Sequence, residues 1–185
     1  MNELSSLMSE KNLEILNIIK TEDLSIREIS EKIGCSPGKI TQATKIFEKY
    51  GIVNVTKRKN RIILKPNYNS QFYCKIMSLS NTHRIVRSRT YARLAKIGTV
   101  GIYGSYAKGT DDANSDIDLM IWTDKKDIEV RGMIRALSKE IGLPVNSLLL
   151  NKKKVAQLKT RDDEFYSRLA KELIVLNDGT FDKIG

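Results

Sequence analysis

Asp116 and Asp118 lie one residue apart in the second half of this chain, and their spacing could support metal-ion chemistry. In an extended strand, alternate side chains point to the same face, so the two carboxylates would lie about 6–7 Å apart. Carboxylates at this spacing repel each other unless a cation lies between them. Mg²⁺ prefers hard oxygen ligands and commonly combines one or two carboxylates with substrate phosphates. The pair therefore predicts a magnesium site.

A turn that could bind phosphate precedes the two aspartates. The apolar run 100–103 has the length of a short buried strand, and Gly104 would let the chain turn sharply out of it. Ser105 then suits the first turn of a helix, where unpaired backbone N–H groups and the helix dipole attract anions. Lys108 would add a positive charge there. A phosphate-binding turn beside a magnesium site predicts a nucleoside triphosphate (NTP) as ligand.

The segment from Gly104 to Asp124 resembles the signature of the DNA polymerase β-like nucleotidyltransferase superfamily. Its form, Gly-Ser-Tyr-Ala-x-Gly followed by Ser-Asp-Ile-Asp-Leu, is most similar to that of the minimal nucleotidyltransferase domains. The resemblance implies transfer of a nucleoside monophosphate from an NTP to a hydroxyl acceptor, with Mg²⁺ as cofactor. It implies that Asp116 and Asp118 bind the metal and are catalytic. The nucleotide would be bound by Gly104, Ser105, Lys108 and Ser115.

The superfamily pattern also requires a third carboxylate on a later strand, and here the chain departs from it. A helix is predicted over about 126–141, and the next apolar run, 145–150, carries Asn146 where the acid would fall. The neutral Asn oxygen could support a metal, but it cannot deprotonate an attacking hydroxyl. Two interpretations stay open: an enzyme whose base comes from substrate or water, or a domain that binds nucleotide and metal with slow turnover or none.

Charge is distributed unevenly along the chain. Its 185 residues carry 32 Lys and Arg against 22 Asp and Glu, a net charge of +10. Residues 1–70 contribute +4, residues 71–98 contribute +6, and residues 99–185 are neutral. A basic N-terminal half predicts a polyanionic partner there. No apolar run approaches the roughly 18 residues of a membrane span, and the N-terminus lacks signal-peptide features, so we expect a cytoplasmic protein without membrane contact.

The N-terminal residues are predicted to form a winged helix. Apolar spacing indicates a helix over about 12–20, a Ser25 capping box opens a second helix, and Ser36 can cap a third. Two short β runs then flank the sequence Lys-Arg-Lys-Asn at 57–60, which predicts a hairpin with a basic tip. This order, with its apolar pattern, is similar to the winged helix-turn-helix domains of prokaryotic transcription regulators.

The resemblance to these regulators implies that duplex DNA is a partner. The third helix would enter the major groove, and the basic hairpin would lie along the backbone or the minor groove. Winged helices also serve as protein-interaction or dimerisation modules. An interaction module in place of DNA binding therefore stays open, as does a homodimer. The predicted DNA-binding residues are Lys39, Thr41, Gln42, Lys45, Lys57, Arg58, Lys59 and Arg61.

The predicted fold class is α/β (α+β), with a winged helix at 1–67, a basic helical linker at 68–98 and a nucleotidyltransferase domain at 99–185. The last domain should contain a mixed sheet flanked by helices. We expect the linker helices to pack on that sheet with their arginines outward, the alternative being an added surface for DNA or an RNA substrate. The chain is then a nucleotidyltransferase coupled to a DNA-binding winged helix. The alternative is a DNA-binding regulator whose second domain is weakly active or inactive and binds nucleotide or a partner.

Overall fold

The computed structural model describes residues 3–177, which fall into two compact units. The first unit combines residues 1–80 with 109–114, and the second combines residues 81–108 with 115–185. The loop at 109–114 therefore packs with the N-terminal part of the chain. Among the described residues, no helix is both long and apolar enough to cross a membrane.

The first unit is a winged helix, with three antiparallel strands in the order β1-β3-β2. The two-residue strand that precedes the second predicted helix, and the short helix at the N-terminus, were not predicted from the sequence. The core of the first unit contains Leu16, Ile29, Phe47 and Leu64, none of which is exposed to solvent. Its elements are α1 (Glu3–Leu7), α2 (Glu10–Ile19), β1 (Leu24–Ser25), α3 (Ile26–Ile33), α4 (Pro37–Lys49), β2 (Val53–Arg58), β3 (Arg61–Pro66) and the first part of α5 (Gln71–Val86).

Capping fixes where α3 begins, as predicted, but does not act in the same way at α4. The Ser25 hydroxyl accepts from the backbone N–H of Glu28 at 3.4 Å, and the Glu28 carboxylate accepts from the Ser25 N–H at 2.8 Å. Ser36 occupies the N-cap position of α4, yet within the described chain its side chain makes no capping hydrogen bond, so that part of the prediction is wrong. Pro37 follows it and removes one of the N–H groups that need a partner.

The wing is a tighter hairpin than predicted. Arg58 and Arg61 are paired in register, so only Lys59 and Asn60 form the turn. Lys59 has φ of 50°, which is the conformation that two-residue hairpin turns require. Lys57 and Arg58 therefore lie in β2 and not at the tip, although their side chains remain exposed.

The second unit contains a four-stranded mixed sheet in the order β6-β5-β4-β7, which confirms the predicted sheet type. β5 and β6 are parallel and are joined by a helix, whereas β4 runs antiparallel to both β5 and β7. Besides the end of α5, the elements are α6 (Arg89–Leu94), β4 (Thr99–Tyr103), α7 (Gly104–Lys108), β5 (Ile117–Trp122), α8 (Asp127–Ile141), β6 (Val145–Leu150), α9 (Lys152–Arg161), α10 (Asp163–Glu172) and β7 (Ile174–Val175).

Only the second part of the predicted 68–98 linker packs on the sheet as expected, because Tyr73 and Met77 in its first part are buried in the core of the first unit. Ile85 and Leu94 are fully buried in the same core as the strand residues, whereas Arg87, Arg89 and Arg93 are exposed. Side chains pair with unpaired backbone groups at two helix ends in this region. The Glu140 carboxylate accepts from the first two N–H groups of α6, and the Arg84 guanidinium donates to the carbonyl of Ile141 at the end of α8.

A buried ion pair holds the 109–114 loop within the first unit. Lys20 Nζ lies 2.6 Å from Asp111 Oδ2, and the two side chains are only 7% and 5% exposed. The Tyr68 hydroxyl donates to the Asp111 carbonyl at 3.3 Å. Gly109 has φ of 73°, and a Cβ there would lie 2.6 Å from the backbone nitrogen of Ser78. The loop is therefore fixed by charge, hydrogen bonding and close backbone packing.

Candidate active site

The centre of the candidate site is Asp118, on the second strand of the mixed sheet. It pairs in register with Tyr103 of β4 on one side and with Asn146 of β6 on the other. Ile117 and Leu119, its neighbours along the strand, are fully buried. The buried apolar neighbours thus fix the position of the strand. Asp118, the second residue of β5, is half-buried.

Asp116 and Asn146 lie in direct contact beside Asp118. β5 begins at Ile117, one residue later than predicted, so Asp116 belongs to the loop end and not to the strand. The Asn146 side-chain amide donates to Asp116 Oδ2 at 3.0 Å. Asn146 thus lies beside the aspartate pair, where the sequence predicted the third position. In this arrangement it presents an N–H donor to a carboxylate, which no acidic side chain could do at neutral pH.

The environment of Asp118 disfavours its charge. Burial raises the pKa of this carboxyl above its ordinary value; the nearby Asn146 amide partly opposes that shift, and the negative charge of Asp116 adds to it. Burial also raises the pKa of the Tyr103 hydroxyl, with a smaller contribution from Asp118. Negative charge at this point is therefore costly, and a cation between the two carboxylates would relieve the cost.

Position 104 requires glycine for two reasons, the conformation of its backbone and its close contact with Asp118. Its φ is +70°, in the left-handed region that glycine occupies without strain. A Cβ on Gly104 would collide with Asp118 Oδ2. The absence of a side chain lets the turn between β4 and α7 approach the carboxylate, which leaves the backbone of the turn beside the candidate metal ligands.

A helix near the end of the chain lines the candidate site, and this role of the helix was not predicted from the sequence. A cavity of about 250 Å³ opens beside Gly104 and Asp118, and α10 forms one of its walls. The spacing of its wall residues, i, i+3, i+4 and i+7, is the pattern of one helical face, but nothing in that pattern indicates which site the face meets. The wall residues from α10 are Phe165, Arg168, Leu169 and Glu172.

Lys108 lies in this cavity but is already paired. Its Nζ lies 2.7 Å from Glu172 Oε1, with side-chain exposures of 51% and 23%. Of the other predicted nucleotide-binding residues, Ser105 is half-buried in the first turn of α7 and Ser115 is half-buried one residue before Asp116. The structure thus brings Gly104 and Lys108 to one cavity with Asp118.

The donor set of the site fits a hard divalent cation. Asp116 and Asp118 supply carboxylate oxygens, and the missing side chain of Gly104 leaves room for the Asp118 carboxylate. Residues 3–177 contain no cluster of three or more His, Cys, Asp or Glu side chains that could hold a metal, which agrees with an Asn at the third position. Two carboxylates with water and phosphate oxygens suit Mg²⁺.

The predicted DNA-binding residues form an exposed surface on the first unit. Lys39, Gln42 and Lys45 are exposed on α4, and the Thr41 hydroxyl donates to the Pro37 carbonyl at 2.9 Å. The four basic residues of the wing are exposed as well.

Arg61 is the predicted DNA-binding residue with an acidic partner. Its guanidinium lies 2.5 Å from the Glu28 carboxylate. Hydrogen bonds from the Ser25 hydroxyl and N–H, followed by Arg61, lower the pKa of Glu28 to about 2. This pair is exposed, so a phosphate can compete with Glu28 for the guanidinium.

Comparison with known families identifies both units. Residues 88–179 match the polymerase beta nucleotidyltransferase family, and residues 8–54 match the winged helix-turn-helix DNA-binding family. The chain therefore joins an N-terminal winged helix-turn-helix domain to a C-terminal nucleotidyltransferase domain of the polymerase β type. This confirms the two resemblances and the fold class predicted from the sequence.

Similarity to solved structures is weaker. NolR from Sinorhizobium fredii has 18% identity and a TM-score of 0.38, covering 45% of this chain and 79% of that one. A chain from the tri-AMPylated Shewanella oneidensis HEPN toxin in complex with MNT antitoxin has 16% identity and a TM-score of 0.38, covering 58% of this chain and 76% of that one. No curated protein matches the chain. Likeness at this level carries no argument about activity.

Replacing Gly104 tests the backbone geometry of the site. We expect Gly104→Ala to destabilise the second unit by about 1–2 kcal/mol from the left-handed backbone alone, with a further cost from moving Asp118. Urea unfolding followed by fluorescence of Trp122, the chain's one tryptophan, measures this. The control is Gly132→Ala, because a Cβ there meets nothing within 4 Å and an exposed helix position gains up to about 1 kcal/mol. Equal stability of the Gly104→Ala and Gly132→Ala variants would contradict the conclusion that the backbone at position 104 requires glycine.

Proposed function

We propose that the protein is a magnesium-dependent nucleotidyltransferase that transfers a nucleoside monophosphate from an NTP to a hydroxyl acceptor. One observation supports this most strongly: Asp118 lies in register beside Asn146, with Gly104 and Lys108 lining the same cavity. Asp116 reaches the same group through Asn146. Two carboxylates that would bind metal, near the Gly104 turn, support the proposal because phosphoryl transfer depends on positioning and on stabilisation of phosphate charge.

Each side chain has a distinct part in the proposed reaction. Asp116 and Asp118 would hold Mg²⁺, which when bound would neutralise phosphate charge and lower the pKa of the acceptor hydroxyl. Asn146 fixes the orientation of Asp116 through its amide hydrogen bond. The Gly104 turn gives phosphate oxygens access to the backbone, and Ser105 and Ser115 flank that turn as predicted nucleotide contacts. Lys108 adds a positive charge once phosphate replaces Glu172 as its partner.

Asn146 supports a second candidate function. An amide cannot accept the proton of the acceptor hydroxyl, so this protein would depend on substrate or water for a base. A domain of this kind could bind nucleotide with little turnover and serve a DNA-binding regulator as its ligand-binding part. The two candidates share the nucleotide site and differ only in the rate of transfer.

The aspartate pair should be necessary for nucleotide binding. Calorimetry with Mg-ATP and Mg-GTP should show binding to the native protein and none to the double variant Asp116→Asn, Asp118→Asn, because the variant removes both negative charges that would hold Mg²⁺. Asp124→Asn changes an exposed aspartate that no prediction places in the site, and it should bind as the native protein does. Unchanged affinity in the double variant would rule out this site.

Restoring an acid at position 146 should increase turnover. A general base contributes about 10²–10⁴ to the rate, so Asn146→Asp should raise magnesium-dependent pyrophosphate release by at least one order of magnitude. Asn146→Ala is the control, since it removes the hydrogen bond to Asp116 without supplying a base. A flat or lower rate in Asn146→Asp would show that this position does not limit the reaction.

We also propose that the winged helix binds duplex DNA. α4 would read the major groove through Gln42, which can pair bidentately with adenine, while Lys39 and Lys45 contact phosphate. Thr41, with its hydroxyl donated to the backbone, retains an acceptor oxygen for a base or phosphate group. The exposed wing residues support an electrostatic contribution along the DNA backbone.

The wing and the recognition helix should differ in how salt affects them. Replacing Lys57, Arg58 and Lys59 with Ala should flatten the log–log salt dependence of binding by up to about 3 units, because each lost phosphate contact removes roughly 0.9. Gln42→Ala should instead weaken the preferred site by about 1–3 kcal/mol with little change in slope. Titrations on a duplex selected from random sequences, and on a scrambled version, measure both effects.

Lys11→Ala provides the control for these titrations. It removes one charge from α2, where Lys11 pairs with Glu14, and should change neither the slope nor the preference. Failure of the native protein to bind any duplex at low salt would make the winged helix a protein-interaction module.

A further inference from the structure

The face of α10 that lines the active-site cavity carries one charge of each sign. Arg168 and Glu172 lie one helical turn apart, and both line the cavity beside Asp118. A cavity that receives a polyphosphate must balance several negative charges beyond those that a single divalent cation neutralises. The carboxylates of Asp116 and Asp118 make this requirement larger, so further cations should lie nearby.

Arg168 is positioned by aromatic packing that leads back to the catalytic strand. Its guanidinium carbon lies 5.5 Å from the centroid of the Phe165 ring. Phe165 in turn packs edge-to-face against Tyr103, with centroids 6.4 Å apart and an interplanar angle of 81°. Tyr103 is the strand partner of Asp118. An arginine stacked in this way keeps its N–H donors at the edge of the plane, where they match the oxygens of phosphate.

Glu172 has the opposite effect on an anionic ligand. Its carboxylate holds Lys108 at 2.7 Å, which neutralises a charge that phosphate would otherwise meet. With the lysine side chain about half exposed, the ion pair contributes little and an incoming phosphate can displace it. Glu172 therefore weakens binding in proportion to the cost of releasing Lys108.

We propose that α10 provides the polyphosphate-binding half of the nucleotide site. Arg168 binds the non-bridging phosphate oxygens, and Glu172 holds Lys108 in a pair that the phosphates replace. The ligand class is a nucleoside triphosphate recognised through its phosphates. This inference rests on the proposed nucleotide site, and it adds to that site two residues more than forty positions away from Asp118 in the sequence.

Two substitutions on α10 should shift the affinity in opposite directions. Arg168→Ala should raise the Kd for Mg-ATP about tenfold or more, which corresponds to the loss of one charge-assisted hydrogen bond. The Kd of Arg168→Lys should lie between those of the native protein and Arg168→Ala. Glu172→Gln should lower the Kd several-fold, because Lys108 is released and one negative charge is removed. Lys171→Ala, an exposed cation on the same helix, should leave the Kd within about twofold of the native value.

Titrations with Mg-tripolyphosphate separate phosphate contacts from base or ribose contacts. The Arg168→Ala loss should be the same for Mg-tripolyphosphate as for Mg-ATP; a loss confined to Mg-ATP would overturn the phosphate assignment. Trp122 fluorescence verifies that each variant is folded. Should Arg168→Ala not fold, the Arg168→Lys and Glu172→Gln variants provide the test. A Kd for Mg-ATP equal to the native value in both variants would overturn the proposal.

The same measurements distinguish this inference from the function on which it rests. Mg-ATP binding that needs Asp116 and Asp118 but ignores both α10 substitutions would overturn only the role of α10. Absence of Mg-ATP binding to the native protein would overturn the nucleotide site itself, and the α10 assignment with it.

Discussion

β5 is paired on both sides, with β4 antiparallel to it and β6 parallel, and that double pairing determines where every group of the candidate site lies. A slip of one residue would turn Asp118 to the opposite face and separate it from Gly104 and Asn146. The slip would also remove Ile117, Leu119 and Ile121 from the core in which they are fully buried, and burial of such a side chain contributes about 1.5–3 kcal/mol. This apolar cost exceeds the repulsion between two partly hydrated carboxylates, so the core holds the aspartates together against their own charge.

The identity of residue 146 then decides how that charge is balanced. A third carboxylate would add repulsion to a site where burial and Asp116 already raise the pKa of Asp118. The Asn146 amide instead donates to Asp116, which stabilises the charged pair without a cation. In the proposed reaction, an amide at this position also means that no proton acceptor is available there. The proposal therefore implies that stability of the site without metal and speed of transfer are opposed at one position.

Patterns local in the sequence were predicted well. The capping box at Ser25 depends on residues a few positions apart, and the mixed sheet depends on strands with clear apolar runs. The Gly104 turn and the aspartates were identified from a contiguous motif. The exact start of β5 was missed by one residue, because Asp116 continues the alternation of polar and apolar residues along the strand and no local signal excludes it.

Contacts between distant segments were not predictable in this way. Arg168 and Glu172 belong to a helix whose amphipathic pattern gives its buried face but not the cavity that the face meets. The two-residue strand β1 is too short for any periodicity and exists only because β3 pairs with it. Asp111 lies in a polar loop, and its burial against Lys20 depends on a partner 91 positions away.

That buried pair bears on how the protein can be divided. The boundaries of the winged-helix match, 8–54, include Lys20 but not the carboxylate that neutralises it. A fragment comprising residues 1–80 alone would lack the loop that buries Lys20, so it would lose this ion pair and the hydrogen bond from Tyr68 to Asp111. Breaking a buried pair typically costs about 3–5 kcal/mol, a large share of the 5–15 kcal/mol that keeps a domain folded. Part of the interior of the first unit is therefore encoded within the Gly104–Asp124 segment, and a fragment that ends at residue 80 lacks it.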